Sequence, residues 1–160
     1  MKDVDLALYQ AKRGGRAGAK VFDVSMREDF AGRLELEAQL RHALVREELV
    51  VDYQPIVALK DGKVLGFEAL VRWKHPQRGM LLPETFIPLA EELHLVGQID
   101  QWVLREAGRQ LMAWQIGPAA SRLWMNVNAS TESLHHIGQI AESLIDHPVA
   151  GPWRIQVEIT

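Results

Sequence analysis

The sequence predicts an α/β fold in which an antiparallel hairpin leads into alternating helices and strands, the pattern of a parallel sheet or barrel. Four runs rich in β-branched and aromatic residues carry the strand prediction: 49–59, 64–73, 123–128 and 153–160. An Asp61-Gly62 pair between the first two runs favours a tight turn, so we expect these strands to pair antiparallel. The length of 160 residues and the hydrophobic content of 48% fit a folded domain of ordinary size.

Helical patterns precede the hairpin. Residues 1–13 are predicted to form a short amphipathic helix that ends at a glycine pair, and a short apolar stretch follows it. Residues 28–48 form a longer helical pattern in which leucines recur every four residues. Pro55, in the first β-run, lacks an amide hydrogen, which favours an edge position for that strand.

After the hairpin we expect a polar loop at 74–79, with His75 as a solvated turn residue. Three helical patterns follow this loop: 83–97, 99–114 and 131–145. Helices that alternate with strands in this way are typical of a sheet whose later strands run parallel.

Composition and charge exclude several classes of function. The net charge of −3 is too small to attract polymeric nucleic acid by bulk electrostatics. The absence of cysteine excludes disulfides, thiolate metal sites and cysteine nucleophiles. The apolar runs are too short to span a bilayer, and acidic residues lie where a signal peptide needs an apolar core. We therefore expect a cytoplasmic chain without a membrane segment of its own.

The second β-run combines an apolar face with a polar one. Alternation along GFEALVRW (66–73) places Glu68, Leu70 and Arg72 on one face of the strand. At ~3.3 Å per residue, Glu68 and Arg72 lie ~13 Å apart, which is too far for a direct ion pair. The separation suits the two ends of one extended anionic ligand.

Polar residues also lie near the ends of the later strands. Asn128 ends the third β-run, and Glu158 lies near the end of the fourth. Because the carboxyl ends of parallel strands converge on the ligand site of α/β folds, Glu68, Asn128 and Glu158 are candidate metal ligands. Their all-oxygen set suits Mg²⁺ or Mn²⁺ better than zinc. The alternative is that they are polar side chains satisfied at strand ends, with no ligand.

Four motifs in order along residues 50–160 resemble those of the EAL domain, a family of bacterial phosphodiesterases that hydrolyse cyclic di-GMP to the linear dinucleotide. The motifs are DYQPIV (52–57), GFEALVRW (66–73), VNAS followed by ESL (127–134) and VEIT (157–160). The tripeptide EAL at 68–70 gives the family its name. Ahead of them, DLALYQAKRGGR (5–16) and KVF (20–22) resemble the closing helix and strand of a GGDEF domain.

The resemblance implies a (β/α)8 barrel of the TIM type whose first strand is antiparallel. A complete barrel needs about 250 residues, so this chain would hold only its first four strands. Residues 1–24 would be the C-terminal remnant of a GGDEF-like domain, contributing a helix and a short strand. Residues 25–34 would be a linker, and 35–160 would be the N-terminal half of an EAL domain.

The same resemblance assigns roles to residues of the strands. Three match family positions that ligate the catalytic divalent cations, Mg²⁺ or Mn²⁺: Glu68, Asn128 and Glu158. Three match positions that contact the cyclic di-GMP substrate: Gln54, Leu70 and Arg72, the last on a phosphate. In the family, two metal ions activate a bridging water that attacks phosphorus. A homodimer through the EAL domain is a further expectation for a full-length protein.

Later motifs of the family do not occur in this sequence, namely a paired-aspartate loop that completes the metal sites and a lysine that acts on the water. We therefore expect the chain to be a fragment of a phosphodiesterase that is inactive by itself. Two alternatives remain open. One is a degenerate EAL module that binds cyclic di-GMP or a protein partner without hydrolysis, and the other is an unrelated α/β domain.

Overall fold

The computed structural model describes three stretches of the chain: 24–114, 123–133 and 154–159. Two compact units divide the chain, 1–41 and 42–160. The predicted helix at 1–13, the short strand after it and most of the predicted helix at 131–145 lie outside the described residues.

Helix α1 (Val24–Ala43) ends earlier than the sequence pattern predicts. The backbone N–H of Glu48 donates to the carbonyl of Ala43 at 2.9 Å, and Glu47 adopts a left-handed φ of 56°. A bond of this span together with a left-handed residue closes a helix. A closing turn at 44–47 therefore ends the helix, and the chain passes directly into the first strand.

A hairpin of two strands opens the sheet, as predicted. Strand β1 (Leu49–Val57) pairs antiparallel with β2 (Val64–His75), and Gly62 in the connecting turn has a φ of 70°, a region that favours glycine. Among the described strands, β1 pairs only with β2. Pro55 therefore lies on an edge strand, which tolerates a residue without a backbone N–H.

The prediction of a polar loop at 74–79 is wrong. Strand β2 runs on through His75, and the short strand β3 (Gly79–Leu81) folds back beside it. His75 is not solvated either, because it is only 2% exposed. Its Nδ1 accepts the backbone N–H groups of Gln77 at 3.1 Å and Arg78 at 3.2 Å. The imidazole therefore closes a second hairpin turn.

Helices α2 (Pro83–Glu92) and α3 (Val96–Trp114) follow. The helix predicted at 83–97 is too long, since His94 has a left-handed φ of 55° and breaks the helical path. Helix α3 buries one apolar face, which includes Val96, Ile99, Val103, Ala107 and Leu111. None of the described helices is long and apolar enough to cross a bilayer.

The later strands pair in parallel. Strand β4 (Trp124–Ala129) lies beside β2, and β5 (Arg154–Ile159) lies beside β4. The sheet therefore has the order β1-β2-β4-β5, with β3 attached to β2, and a short 3₁₀ turn (Thr131–Ser133) follows β4. The sequence-based prediction of the fold class is confirmed: the first strand is antiparallel, and the later strands are parallel, as at the start of the predicted barrel.

The close pairing of β2 with β4 depends on Gly66. A Cβ atom at this position would lie 2.5 Å from the carbonyl oxygen of Trp124 and 2.8 Å from its indole ring. No side chain fits such a contact with backbone, so glycine is required where the two strands approach each other. This contact helps to set the spacing between the two strands that carry the polar residues described next.

Candidate functional site

Glu68 on β2 and Asn128 on β4 meet on one face of the sheet. The side-chain amide of Asn128 donates to Glu68 Oε1 at 2.9 Å, and both residues are half-buried. The parallel register explains the contact. Glu68 is paired with Asn126, and Asn128 lies two residues further toward the carboxyl end, on the same face as Asn126.

Glu158 on β5 joins this polar face through a different residue. Its Cα is paired with that of Asn128, but its carboxylate accepts the side-chain amide of Asn126 at 2.9 Å. The three predicted metal ligands therefore share one face of the sheet. Glu68 and Asn128 bond to each other, whereas Glu158 bonds to Asn126. Sequence reasoning missed Asn126, although its spacing of two from Asn128 places both on the same face.

These side chains fit a hard divalent cation. Glu68 and Glu158 supply carboxylates, and Asn126 and Asn128 supply carboxamide oxygens, the donor type that Mg²⁺ and Mn²⁺ prefer. The Asn126 carbonyl oxygen is buried and has no hydrogen-bond partner within the described stretches, an unfavourable state that a cation would relieve. No three His, Asp or Glu side chains cluster in those stretches, so amide oxygens would have to share in holding an ion.

Arg72 lies on β2 with its guanidinium already engaged. Its Nε forms an ion pair with the Asp52 carboxylate of β1 at 3.1 Å, and its Nη1 donates to the Val71 carbonyl at 2.9 Å. The Arg72 side chain is 16% exposed, whereas that of Asp52 is 61% exposed. Sequence reasoning missed Asp52, although it lies two residues from Gln54 and therefore shares a face of β1 with it.

Gln54 and Leu70 occupy the same region of the hairpin. Gln54 is paired with Glu68 and is exposed, while Leu70 is paired with Asp52 and is half-buried. Leu70 also lines a cavity of about 390 Å³, within the usual size range of small-molecule sites. The cavity lies between the middle of β2 (69–71), the end of β4 and helices α2 and α3. Its lining includes Asn128, Ser130, Pro83, Glu84, Ile87 and Asp100.

Asp100, on α3, holds the loop that follows Asn128. Its Oδ2 accepts the backbone N–H and the hydroxyl of Ser130, both at 2.8 Å, and the hydroxyl of Ser133 at 2.5 Å. Asp100 is only 9% exposed, and three donors on one oxygen satisfy much of its charge. Sequence reasoning missed Asp100, although an acidic residue beside the apolar positions of an amphipathic helix indicates a buried carboxylate with a partner.

Tyr53 belongs to a different cluster, on the other face of β1. Its ring lies 5.0 Å from that of Trp114, edge to face, and its hydroxyl is buried without a partner among the described residues. Burial, and to a smaller extent the nearby Glu106 carboxylate, raise the pKa of Tyr53 to about 12. Glu106 itself pairs with Arg109, and that hydrogen bond lowers the pKa of the carboxyl. The cluster packs β1 against α3.

Several known proteins are similar to this chain in sequence and structure. MucR of Pseudomonas aeruginosa, named a bifunctional diguanylate cyclase/cyclic di-GMP phosphodiesterase, is 40% identical over 164 residues, covering 100% of this chain and 24% of that protein. NbdA of the same organism, named a cyclic di-GMP phosphodiesterase, is 40% identical over 142 residues, covering 89% of this chain and 18% of that protein. The solved structure of the MucR phosphodiesterase in complex with cyclic di-GMP superposes with a TM-score of 0.64 at 40% identity, covering 69% of this chain and 45% of that one.

The chain thus spans about a quarter or less of the length of these curated relatives. The sequence profile of the EAL domain matches residues 37–160, which is most of the chain. The match includes all the strands of the sheet and every residue of the polar face. The chain belongs to the EAL domain family.

Proposed function

We propose that this chain forms the N-terminal half of the catalytic domain of a phosphodiesterase that hydrolyses cyclic di-GMP to the linear dinucleotide. The observation that supports it best is the contact of Glu68 with Asn128 on one face of β2 and β4, with Asn128 also lining the 390 Å³ cavity. Arg72 lies further along the same face of β2. Relatives that share 40% of their residues with it are named for this activity.

The polar face would hold Mg²⁺ or Mn²⁺. Glu68, Asn128 and Glu158 are the ligands that we propose, with Asn126 holding the Glu158 carboxylate and offering an oxygen that has no partner among the described residues. When bound, such ions stabilise the charge that develops on the phosphoryl oxygens during hydrolysis. Their mutual hydrogen bond would help to hold Glu68 and Asn128 in position for this role.

The nucleotide would be held by the hairpin. Arg72 offers a planar guanidinium, which matches two oxygens of a phosphodiester better than the point charge of lysine does. Leu70 would pack against the apolar part of the ligand at the cavity wall, and the exposed amide of Gln54 would donate to it.

The division of the chain is part of this proposal. Residues 35–160 would be the first half of an EAL domain, 25–34 a linker and 1–24 the end of a GGDEF-like domain. The remaining ligands and the water-activating lysine would come from the second half of the domain in a full-length protein, and dimerisation would use the same domain. The 160-residue chain alone would therefore not turn over cyclic di-GMP.

Replacing Glu68 tests the proposal in a full-length version of the protein. Glu68→Gln keeps the shape of the side chain and removes its negative charge, so we expect turnover to fall by about a hundredfold or more. Linear dinucleotide is measured by chromatography with Mg²⁺ or Mn²⁺ present. Glu106→Gln is the matched control, because Glu106 lies in the Tyr53 cluster and pairs with Arg109 instead.

Two results would contradict the assignment. Unchanged turnover in Glu68→Gln would mean that Glu68 is not a metal ligand. A wild-type protein that binds cyclic di-GMP without producing the linear dinucleotide would instead be a non-catalytic EAL module.

A further inference from the structure

Asp52 lies on the same face as the residues that we assign to the nucleotide, with no role in that assignment. Its Cα is paired with that of Leu70, and Gln54 follows it by two positions on the same strand. Arg72 is paired with Val50, so Asp52 reaches it diagonally across the hairpin, with Oδ2 at 3.1 Å from Nε. The carboxylate therefore contacts the cation that a phosphodiester would need.

The two partners differ in how firmly they are held. Arg72 is largely buried at 16% exposure, and its Nη1 is fixed by the Val71 carbonyl at 2.9 Å. Asp52 is 61% exposed. An exposed carboxylate is already hydrated, so releasing it from the ion pair costs little. The Val71 carbonyl would still hold Nη1 if Asp52 left, so Nε would become available to an incoming anion.

We propose that Asp52 sets the affinity of the site for its phosphodiester by occupying Arg72 when no ligand is bound. Asp52 and a phosphate oxygen are both acceptors for the same N–H, so they compete for it, and their like charges repel. Binding would therefore include displacement of the carboxylate. This inference rests on the proposed function, because it takes Arg72 as the residue that holds the phosphate.

Removal of the Asp52 charge should then improve binding, which is the opposite of what most substitutions in a site do. Asp52→Asn keeps the size of the side chain but leaves only a neutral acceptor. We expect cyclic di-GMP to bind about fivefold more tightly to this variant, the upper end for a partly exposed ion pair. The gain should shrink as salt is raised from 50 mM to 500 mM, because salt screens an exposed carboxylate (the Debye length falls to roughly 4 Å).

Calorimetric titration of the full-length protein that carries this chain is the measurement, with Ca²⁺ in place of Mg²⁺ to limit hydrolysis. Asp52→Glu restores the charge and should return the affinity toward that of the wild type. Asp61→Asn is the matched control, since it removes the same charge from the β1–β2 turn, where Asp61 pairs with Lys63 at 3.2 Å. Asp52→Asn combined with Arg72→Ala should show no gain over Arg72→Ala alone, because the competition requires the guanidinium.

A second measurement does not depend on the nucleotide. Phenylglyoxal modifies accessible guanidinium groups, and peptide mass spectrometry reports the rate at Arg72. We expect Asp52→Asn to raise this rate severalfold over the wild type and over Asp61→Asn, because the paired carboxylate covers one edge of the guanidinium and hinders approach of the reagent. Equal rates would overturn the claim that Asp52 occupies Arg72.

The outcomes separate the two proposals. A wild-type protein that does not bind cyclic di-GMP contradicts the proposed function, and the modification rates still decide whether Asp52 blocks Arg72. If the wild type binds but Asp52→Asn binds equally or more weakly, Asp52 is a positioning partner of Arg72 and the inference is wrong.

Discussion

A single hydroxyl, that of Tyr53, shows how strongly burial acts on one polar atom in this domain. The atom has no hydrogen-bond partner among the described residues, and burial and the Glu106 carboxylate both favour its neutral form, so the pKa rises to about 12. Tyr53→Phe removes the buried hydroxyl and keeps the ring contact with Trp114. At pH 7 we expect the free energy of unfolding to stay the same or to rise by about 1 kcal/mol.

The pH dependence of this effect has a definite sign. In the unfolded chain a tyrosine ionises near pH 10, whereas folded Tyr53 ionises near pH 12. This ionisation therefore leaves the free energy of unfolding unchanged below pH 10, and lowers it as the pH rises from 10 through 12. Urea unfolding at pH 7, 9, 10 and 11 would show this loss in the wild type and not in Tyr53→Phe. Parallel curves for the two proteins would contradict it.

Whether a side-chain contact could be predicted depended on how far apart its partners lie in the sequence. Alternation along β2 was enough to place Glu68 and Arg72 on one face, since that depends on neighbouring residues alone. The contact of Asp52 with Arg72 needs the exact hairpin register as well, and that of Asp100 with Ser130 joins residues of different elements. No local pattern encodes such pairs, so the sequence did not reveal them.

At the level of elements, the pairing of β2 with β4 depends on the lack of a side chain at Gly66. A Cβ atom would lie 2.5 Å from the Trp124 carbonyl oxygen, and backbone cannot move aside there without spreading the strands. We expect Gly66→Ala to lower the free energy of unfolding by about 2–3 kcal/mol, the upper part of the usual range for overpacking. Chemical denaturation checks this value.

Gly97→Ala is the matched control for that experiment. A Cβ at Gly97 meets only Ser133 Oγ, at an ordinary contact distance of 3.9 Å, and the position is helical. Alanine there should be neutral or stabilise the protein by up to about 1 kcal/mol. Equal losses at the two glycines would show that the contact with Trp124 is not what makes Gly66 necessary.

The second hairpin shows why an element can escape sequence analysis. Lys-His-Pro followed by polar residues and glycine has the composition of a solvated loop. In the structure, β2 continues through His75 because the imidazole is buried against Trp73, with ring centroids 4.8 Å apart. Its Nδ1 then accepts two backbone N–H groups of the turn. Trp73 in turn packs edge to face on Phe86 of α2, with ring centroids 5.8 Å apart, a tertiary contact that the local pattern does not contain.

On the scale of the whole molecule, the described sheet has two open edges, β1 and β5. Unpaired strand edges act as templates for pairing with another chain, and Ile159 at the end of β5 is 45% exposed. We expect the 160-residue chain, produced as a separate molecule, to self-associate as its concentration rises. Size-exclusion chromatography with light scattering would show a mass that increases with concentration.

A charge on the edge should weaken this association. Ile159→Lys places a lysine on β5, a residue that natural edge strands use to block pairing. Leu59→Lys makes a matching change at a fully exposed residue of the β1–β2 turn. Only the first variant should shift the chain toward the monomer. A monomeric wild type at all concentrations would show that the edges are covered.

The three hydrogen bonds that Asp100 accepts link the stability of a helix to the geometry of the polar face. Any fluctuation that frays the first turns of α3 withdraws the carboxylate from Ser130 and Ser133, and the segment just after Asn128 then loses its anchor. Opening of the helix and loss of the site are therefore one cooperative event, with one free energy. A ligand held by Asn128 would raise that free energy. The first turns of α3 would then open less often, even if the ligand made no contact with this helix.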